Sequence, residues 1–111
     1  MDFATAVKTV FSKYVDFSGR ATRPEFWWWV LFVFVASLIL TTIDTILGLT
    51  LFSPLFSLAT LLPGLAVSAR RLHDINRSGW WQLIMLIPLI GFIILIFWYT
   101  RPSDQGANRF G

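Results

Sequence analysis

FWWWVLFVFVASLILTTI, residues 26–43, is an eighteen-residue stretch without one charged side chain, and its reading decides the fold. A helix over it rises 1.5 Å per residue to a length of roughly 27 Å, close to the hydrocarbon thickness of a bilayer. The rest of the chain repeats the pattern. Residues 45–69 are again uncharged, and Ser53 followed by Pro54 suits an N-cap and first helical position, which predicts a second helix over 54–69. Residues 80–99 form a third uncharged run that opens on Trp80 and Trp81 and closes on Trp98 and Tyr99. Read as one helix, it sets two pairs of amphipathic rings roughly 27 Å apart, the separation of two interfacial belts.

Composition points the same way. Of 111 residues 56% are hydrophobic, 17% aromatic and only 14% charged, and the mean hydropathy is +0.68. A soluble domain of this size carries roughly 25% charged residues to cover its surface. The length allows a single domain, residues 1–111. With no cysteine and His73 as the only histidine, disulfides, thiolate sites and a metal centre have too few donors, and no cofactor is expected. The expected fold is therefore all-α and integral to a membrane, with three transmembrane helices.

Ahead of the first span, Phe3, Val7, Val10, Phe11 and Tyr14 recur at helical spacing among Lys8, Lys13, Thr5 and Ser12. A helix over 2–15 is too short and too polar to cross, and is expected to lie in the interface with its aromatic face toward lipid; packing on a partner protein is the alternative. A secretory signal is not expected, because the apolar run begins late and no small-residue cleavage pattern follows it.

Basic residues give the orientation. Lys8, Lys13, Arg20 and Arg23 precede the first span, none lies between Asp44 and Ser53, and Arg70, Arg71 and Arg77 lie between the second and third segments. Because basic loops are retained in the cytoplasm, the amino terminus is expected there and the 44–53 connection outside. Three full spans put the tail outside, against which Arg101 and Arg109 argue. Pro88 and Gly91 leave a competing reading, a re-entrant hairpin that returns the tail to the starting side.

Four motifs carry a family resemblance: GRATRPEFW at 19–27, RRLHDINRSGWW at 70–81, IPLIG at 87–91 and NRFG at 108–111. Together they resemble the YhaH and YhaI family of small bacterial inner-membrane proteins, known as domain of unknown function eight hundred and five. The resemblance covers nearly the whole chain. It implies a bacterial plasma membrane and no particular reaction.

Under this orientation Arg20, Arg23, Glu25, Arg70, Arg71, His73, Asp74 and Arg77 gather at one face. One reading is structural: the arginines satisfy the topology rule, Glu25 and Asp74 pair with them, and Ser78 caps the third helix. A sharper reading makes Arg20, Arg23, Arg70, Arg71 and Arg77, with Trp27, Trp80 and Trp81, a pocket for an anionic lipid headgroup or acidic partner. The expected role is then noncatalytic, a lipid-associated accessory or interaction subunit. Its partners are membrane lipids, other membrane proteins or further copies of the chain. Catalysis by His73 and Asp74 is disfavoured, because adjacent helical side chains point about 100° apart. A small oligomeric transporter or channel is the alternative function, with Asp44 as its one ionisable group beside a span and Ser53/Ser57 and Gly64/Ser68 as close-approach pairs. Nucleic-acid binding is not expected, since the positive-inside rule accounts for the basic residues.

Overall fold

The computed structural model describes residues 1–111, all helix and connection without a strand. The elements in chain order are α1 (Phe3–Ser12), α2 (Arg23–Leu47), α3 (Phe52–Asp74), a 3-10 helix (Gly79–Leu86) and α4 (Ile90–Tyr99). Helices α2 and α3 are both long and apolar enough to cross a membrane. At 1.5 Å per residue they measure roughly 37 and 34 Å, above the roughly 30 Å a bilayer core requires.

Each long helix runs past the bounds read from the sequence, and the reasons are local. Thr22 and Pro24 start α2 ahead of Phe26, and Gly48, left-handed at φ 68°, ends it by donating to Thr45 O while Leu49 donates to Asp44 O. Helix α3 begins at Phe52 rather than Pro54, and Ser53 is not its cap. The Asp44 carboxylate instead accepts from Phe52 N at 3.1 Å and Ser53 N at 2.9 Å, so the last turn of α2 supplies the acceptor for the first turn of α3. This occupies the group on which the transport reading relied. Asp44→Ala is expected to cost about 0.5–2 kcal/mol, the usual range for a lost N-cap; thermal unfolding in mild detergent measures it, and an unshifted transition would refute the capping role.

At its other end α3 continues through Ala69 to Asp74 and closes in a Schellman motif. Asn76 holds the left-handed position at φ 62°, Arg77 N donates to Leu72 O and Asn76 N to His73 O. The RRLHD run is thus the last turn of a helix rather than a loop, and this fixes where its side chains point.

Residues 80–99 are not one helix, which corrects the expected third span. The 3-10 helix stops before Ile87, and Pro88, Leu89 and Ile90 make a γ-turn in which Leu89 sits at φ 66°, ψ −61° and Ile90 N donates to Pro88 O at 2.7 Å. The chain then folds back. The Trp81 and Trp98 rings meet edge to face with centroids 5.6 Å apart, where a continuous helix would hold these positions roughly 26 Å apart. Gly91 is buried against the Ile84 backbone. The hairpin arms are roughly 15 Å deep, about half a bilayer core. The tail accordingly returns: Asp104 N donates to Asp74 O at 2.9 Å, so both terminal segments meet the same end of α3.

Helix α1 also differs from expectation. Asp2 caps it by accepting from Thr5 N at 2.8 Å, but its aromatic face is turned toward α2, with Phe3 edge-on to Trp28 at 5.8 Å and Phe11 edge-on to Trp29 at 5.1 Å. Ala6 and Val10 are fully buried in that contact. Tyr14 extends the attachment by donating to Ala59 O in α3.

Only 20 of 111 residues are buried, and seven of those are polar or charged, while Phe34, Ile46, Leu58 and Leu86 are more than half exposed. In water this inverted arrangement would leave a contiguous apolar surface far beyond what soluble monomers carry. Surrounded by acyl chains it is the expected one, because lipid supplies no hydrophobic drive between helices and polar contacts must do more of the holding.

Candidate functional site

The polar interior lies at the end of the molecule where the last turn of α3, the start of α2 and the tail converge. Arg70 and Arg71 are fully buried there, an arrangement that only pairing makes tolerable. Arg70 pairs with Glu25 of α2 and donates from Nε to Asp16 O at 3.1 Å; its Nη2 has no partner. Arg71 donates from Nη1 to Asp74 at 3.0 Å and from Nε to Tyr99 O at 3.1 Å, and from Nη2 to Arg101 O. Asp74 also accepts from Arg20 Nε at 2.8 Å and from the Ser103 hydroxyl. Arg20 spends its remaining donors on tail carbonyls, among them Gly106 O at 2.6 Å and Asp104 O at 2.7 Å.

The three arginines of this interior therefore bind the chain to itself. Arg20, Arg70 and Arg71 do not line an open anion pocket; Trp27 donates from its indole Nε1 to Tyr99 O at 3.1 Å and also lines, with Arg23, an open surface pocket of about 550 Å³. That correction has a geometric cause: once the hairpin returns Tyr99 to the α2 and α3 ends, its carbonyl accepts from both Trp27 and Arg71. Glu25, His73 and Asp74 are buried with them. Ser78 caps the 3-10 helix, its hydroxyl accepting from Trp80 N at 3.3 Å.

His73 and Asp74 do not form a dyad. The imidazole Nδ1 lies 2.9 Å from Gly19 O, which as a carbonyl can only accept, so Nδ1 carries the proton. The ring stacks on Phe110 with centroids 3.8 Å apart and planes 2° from parallel. Asp74 is taken up by its arginines.

The remaining predicted site residues stay outside the interior. Arg23 is exposed and reaches Thr100 O at 3.4 Å; Arg77 lies over the Trp98 ring at 4.2 Å; Trp80 and Trp81 are exposed. Two cations that the sequence reading used only for the side of the tail join them, Arg101 over Phe97 at 5.3 Å and Arg109 over Phe110 at 5.1 Å. None of these four arginines has a carboxylate partner. Sequence reasoning also missed Ser103 and Phe110 as members of the cluster, and the one signal for Phe110 was its place in the closing NRFG motif. No group of three His, Cys, Asp or Glu side chains converges anywhere in the fold.

The motifs that build this end of the molecule are those of a known family. The model described as "Protein of unknown function (DUF805)" matches residues 14–111, which takes in the α1–α2 connection, both long helices, the hairpin and the tail. The chain belongs to this family. The inner membrane protein YhaI of Escherichia coli K12 is 44% identical over 105 residues, covering 93% of this chain and 89% of that protein. The inner membrane protein YhaH of the same strain is 38% identical over 108 residues, covering 92% and 89%. A third relative, the uncharacterized protein YiiR, is 38% identical over 73 residues and covers 65% of this chain and 50% of its own length. No solved structure matches. With relatives named for the inner membrane and two helices fit to cross one, this is a membrane protein of a family without an assigned function.

Proposed function

We propose that the protein is a noncatalytic, lipid-associated accessory or interaction subunit of the bacterial plasma membrane. In this reading α2 and α3 cross the bilayer, the hairpin enters and leaves from one side, and the amino terminus, hairpin mouth and tail are cytoplasmic. The return of the tail supports that orientation, because it brings Arg101 and Arg109 to the end of α3 that carries Arg70 and Arg71.

The observation that carries the lipid reading is the division of the arginines. Arg20, Arg70 and Arg71 are paired with carboxylates. Arg23, Arg77 and Arg101 form an outer set that rests beside aromatic rings and chain carbonyls, with the charge left free for an anionic headgroup. A basic side chain near an anionic leaflet contributes about 1 kcal/mol, so replacing all three by Gln is expected to cost about 3 kcal/mol, roughly a hundredfold in affinity for anionic lipid. Native mass spectrometry of the purified protein with phosphatidylglycerol or cardiolipin reads the loss directly. Anionic lipid retained undiminished by the triple variant would refute the reading. Substitutions at Arg70 or Arg71 are expected to lower stability instead, which separates the two sets.

A further inference from the structure

Two cavities meet beneath the tail, on either side of the stacked rings of His73 and Phe110. One, of about 810 Å³, opens toward water between the α1–α2 connection and the tail, with Asp16, Ser18 and Arg109 in its wall. The other, of about 650 Å³, lies between α3 and the 3-10 helix and is walled by Leu65, Ala69, Trp80 and Leu83. Phe17, His73 and Phe110 border both, so an open hollow carrying the charged side chains, the polar chamber, shares a wall with an apolar one.

Asp16 and Arg109 bring opposite charges to the polar chamber, and the two are not spent on each other. Asp16 Oδ1 accepts from Ser18 N at 3.0 Å and from Ser18 Oγ at 2.6 Å, leaving Oδ2 without a partner. The Ser18 hydroxyl and amide hold the Asp16 carboxyl below its ordinary pKa, so it is anionic at neutral pH. Arg109 gives Nε to Asn76 Oδ1 at 3.1 Å and Nη2 to Asn76 O at 2.6 Å, leaving Nη1 unused. The chain's ion pairs are Arg20 with Asp74, Arg70 with Glu25 and Arg71 with Asp74; Asp16 and Arg109 form none.

We infer that this double cavity binds a phospholipid with a zwitterionic primary-amine headgroup of the phosphoethanolamine class, its phosphate on Arg109, its ammonium on Asp16 and an acyl chain between α3 and the 3-10 helix. The inference rests on the lipid-associated reading above but concerns a different surface and a different headgroup. Charge complementarity selects the occupant. A purely anionic headgroup would satisfy Arg109 and set a like charge against Asp16. A quaternary ammonium has no N–H to donate to Asp16 Oδ2, whereas a primary ammonium has three.

The test is competition. The purified protein is offered equal amounts of phosphatidylethanolamine and phosphatidylcholine with identical acyl chains, together with phosphatidylglycerol, and bound lipids are counted by native mass spectrometry. Retention of the ethanolamine lipid at least tenfold over the choline lipid is expected. Asp16→Asn keeps an oxygen for Ser18 but loses the charge, and is expected to bring that ratio near one with the unfolding temperature unchanged. Arg109→Gln is expected to weaken both lipids together, because both carry the phosphate. A wild-type ratio near one, or a ratio that Asp16→Asn leaves intact, would overturn the inference. Phosphatidylglycerol retained through Arg23, Arg77 and Arg101 beside a ratio of one would overturn this inference alone and leave the proposed function standing.

Discussion

Asp74→Ala is expected to destabilise the protein by about 3–5 kcal/mol, the range for removing one partner from a buried ion pair. Asp74 accepts from Arg20, Arg71 and Ser103, and Arg71 has no other carboxylate. Without it the fully buried Arg71 guanidinium would keep only the carbonyls of Tyr99 and Arg101, which carry no compensating charge. Arg20 loses less, since its side chain is 18% exposed and still reaches the tail carbonyls. Thermal unfolding in mild detergent measures the loss, and limited proteolysis should show residues 100–111 cleaved early, because Asp74 holds that segment through Ser103 and, by way of Arg20 and Arg71, through four of its carbonyls. The pair Arg71→Met with Asp74→Ala is expected to cost less than the sum of the single changes, since the second substitution removes the charge that the first leaves stranded. Unfolding at the wild-type temperature with a protected tail would show that the network does not hold that segment.

This network explains why the polar cluster at this end of the molecule was only half legible in the sequence. Counting basic residues locates Arg70 and Arg71 at one end, and that much needs no partner. Whether they face outward to lipid or inward to acid depends on Glu25, which lies 45 residues away, and on carbonyls of the tail that no side-chain pattern reports. The apolar spacing of α1 shows that one face avoids water without showing what covers it, and α2 takes up part of that face, leaving Phe3 and Phe11 each 41% exposed. Asp44 is similar: its place at the end of the first apolar run is readable, but its bonds to Phe52 and Ser53 exist only because Gly48 turns the chain back. The apolar runs at 26–43 and 54–69, by contrast, lie wholly inside α2 and α3, because length and charge-free composition are local properties. The run at 80–99 meets the same criterion and fails, since twenty apolar residues suit one full span or two half-depth arms equally well by composition. Pro88 and Gly91 were the local signs of the second outcome, and what decides between them is contact between residues far apart in the run.

Gly91→Ala tests that contact most directly, and is expected to open the hairpin. A Cβ at position 91 would lie 1.7 Å from Ile84 O and 2.5 Å from the Ile84 carbonyl carbon. Both are backbone atoms, so no rotamer change relieves the clash, and the cost should reach or exceed the ~3 kcal/mol upper end typical of overpacked cores. The absence of cysteine makes the readout clean. With Trp81→Cys and Trp98→Cys introduced together, a short bismaleimide should join the two positions in the otherwise unchanged chain and fail to do so once Gly91→Ala is added. No cross-link in the first case, or an equal one in the second, would rule the hairpin out. A continuous span would set these positions roughly 26 Å apart and would also carry Tyr99 to the far side of the bilayer. The Tyr99 carbonyl accepts from both Trp27 and Arg71, at the ends of α2 and α3 opposite Asp44. A straight span would leave Arg71 buried with one fewer acceptor, and the reversal at Pro88 and Leu89 keeps that acceptor in place at the expense of one strained turn.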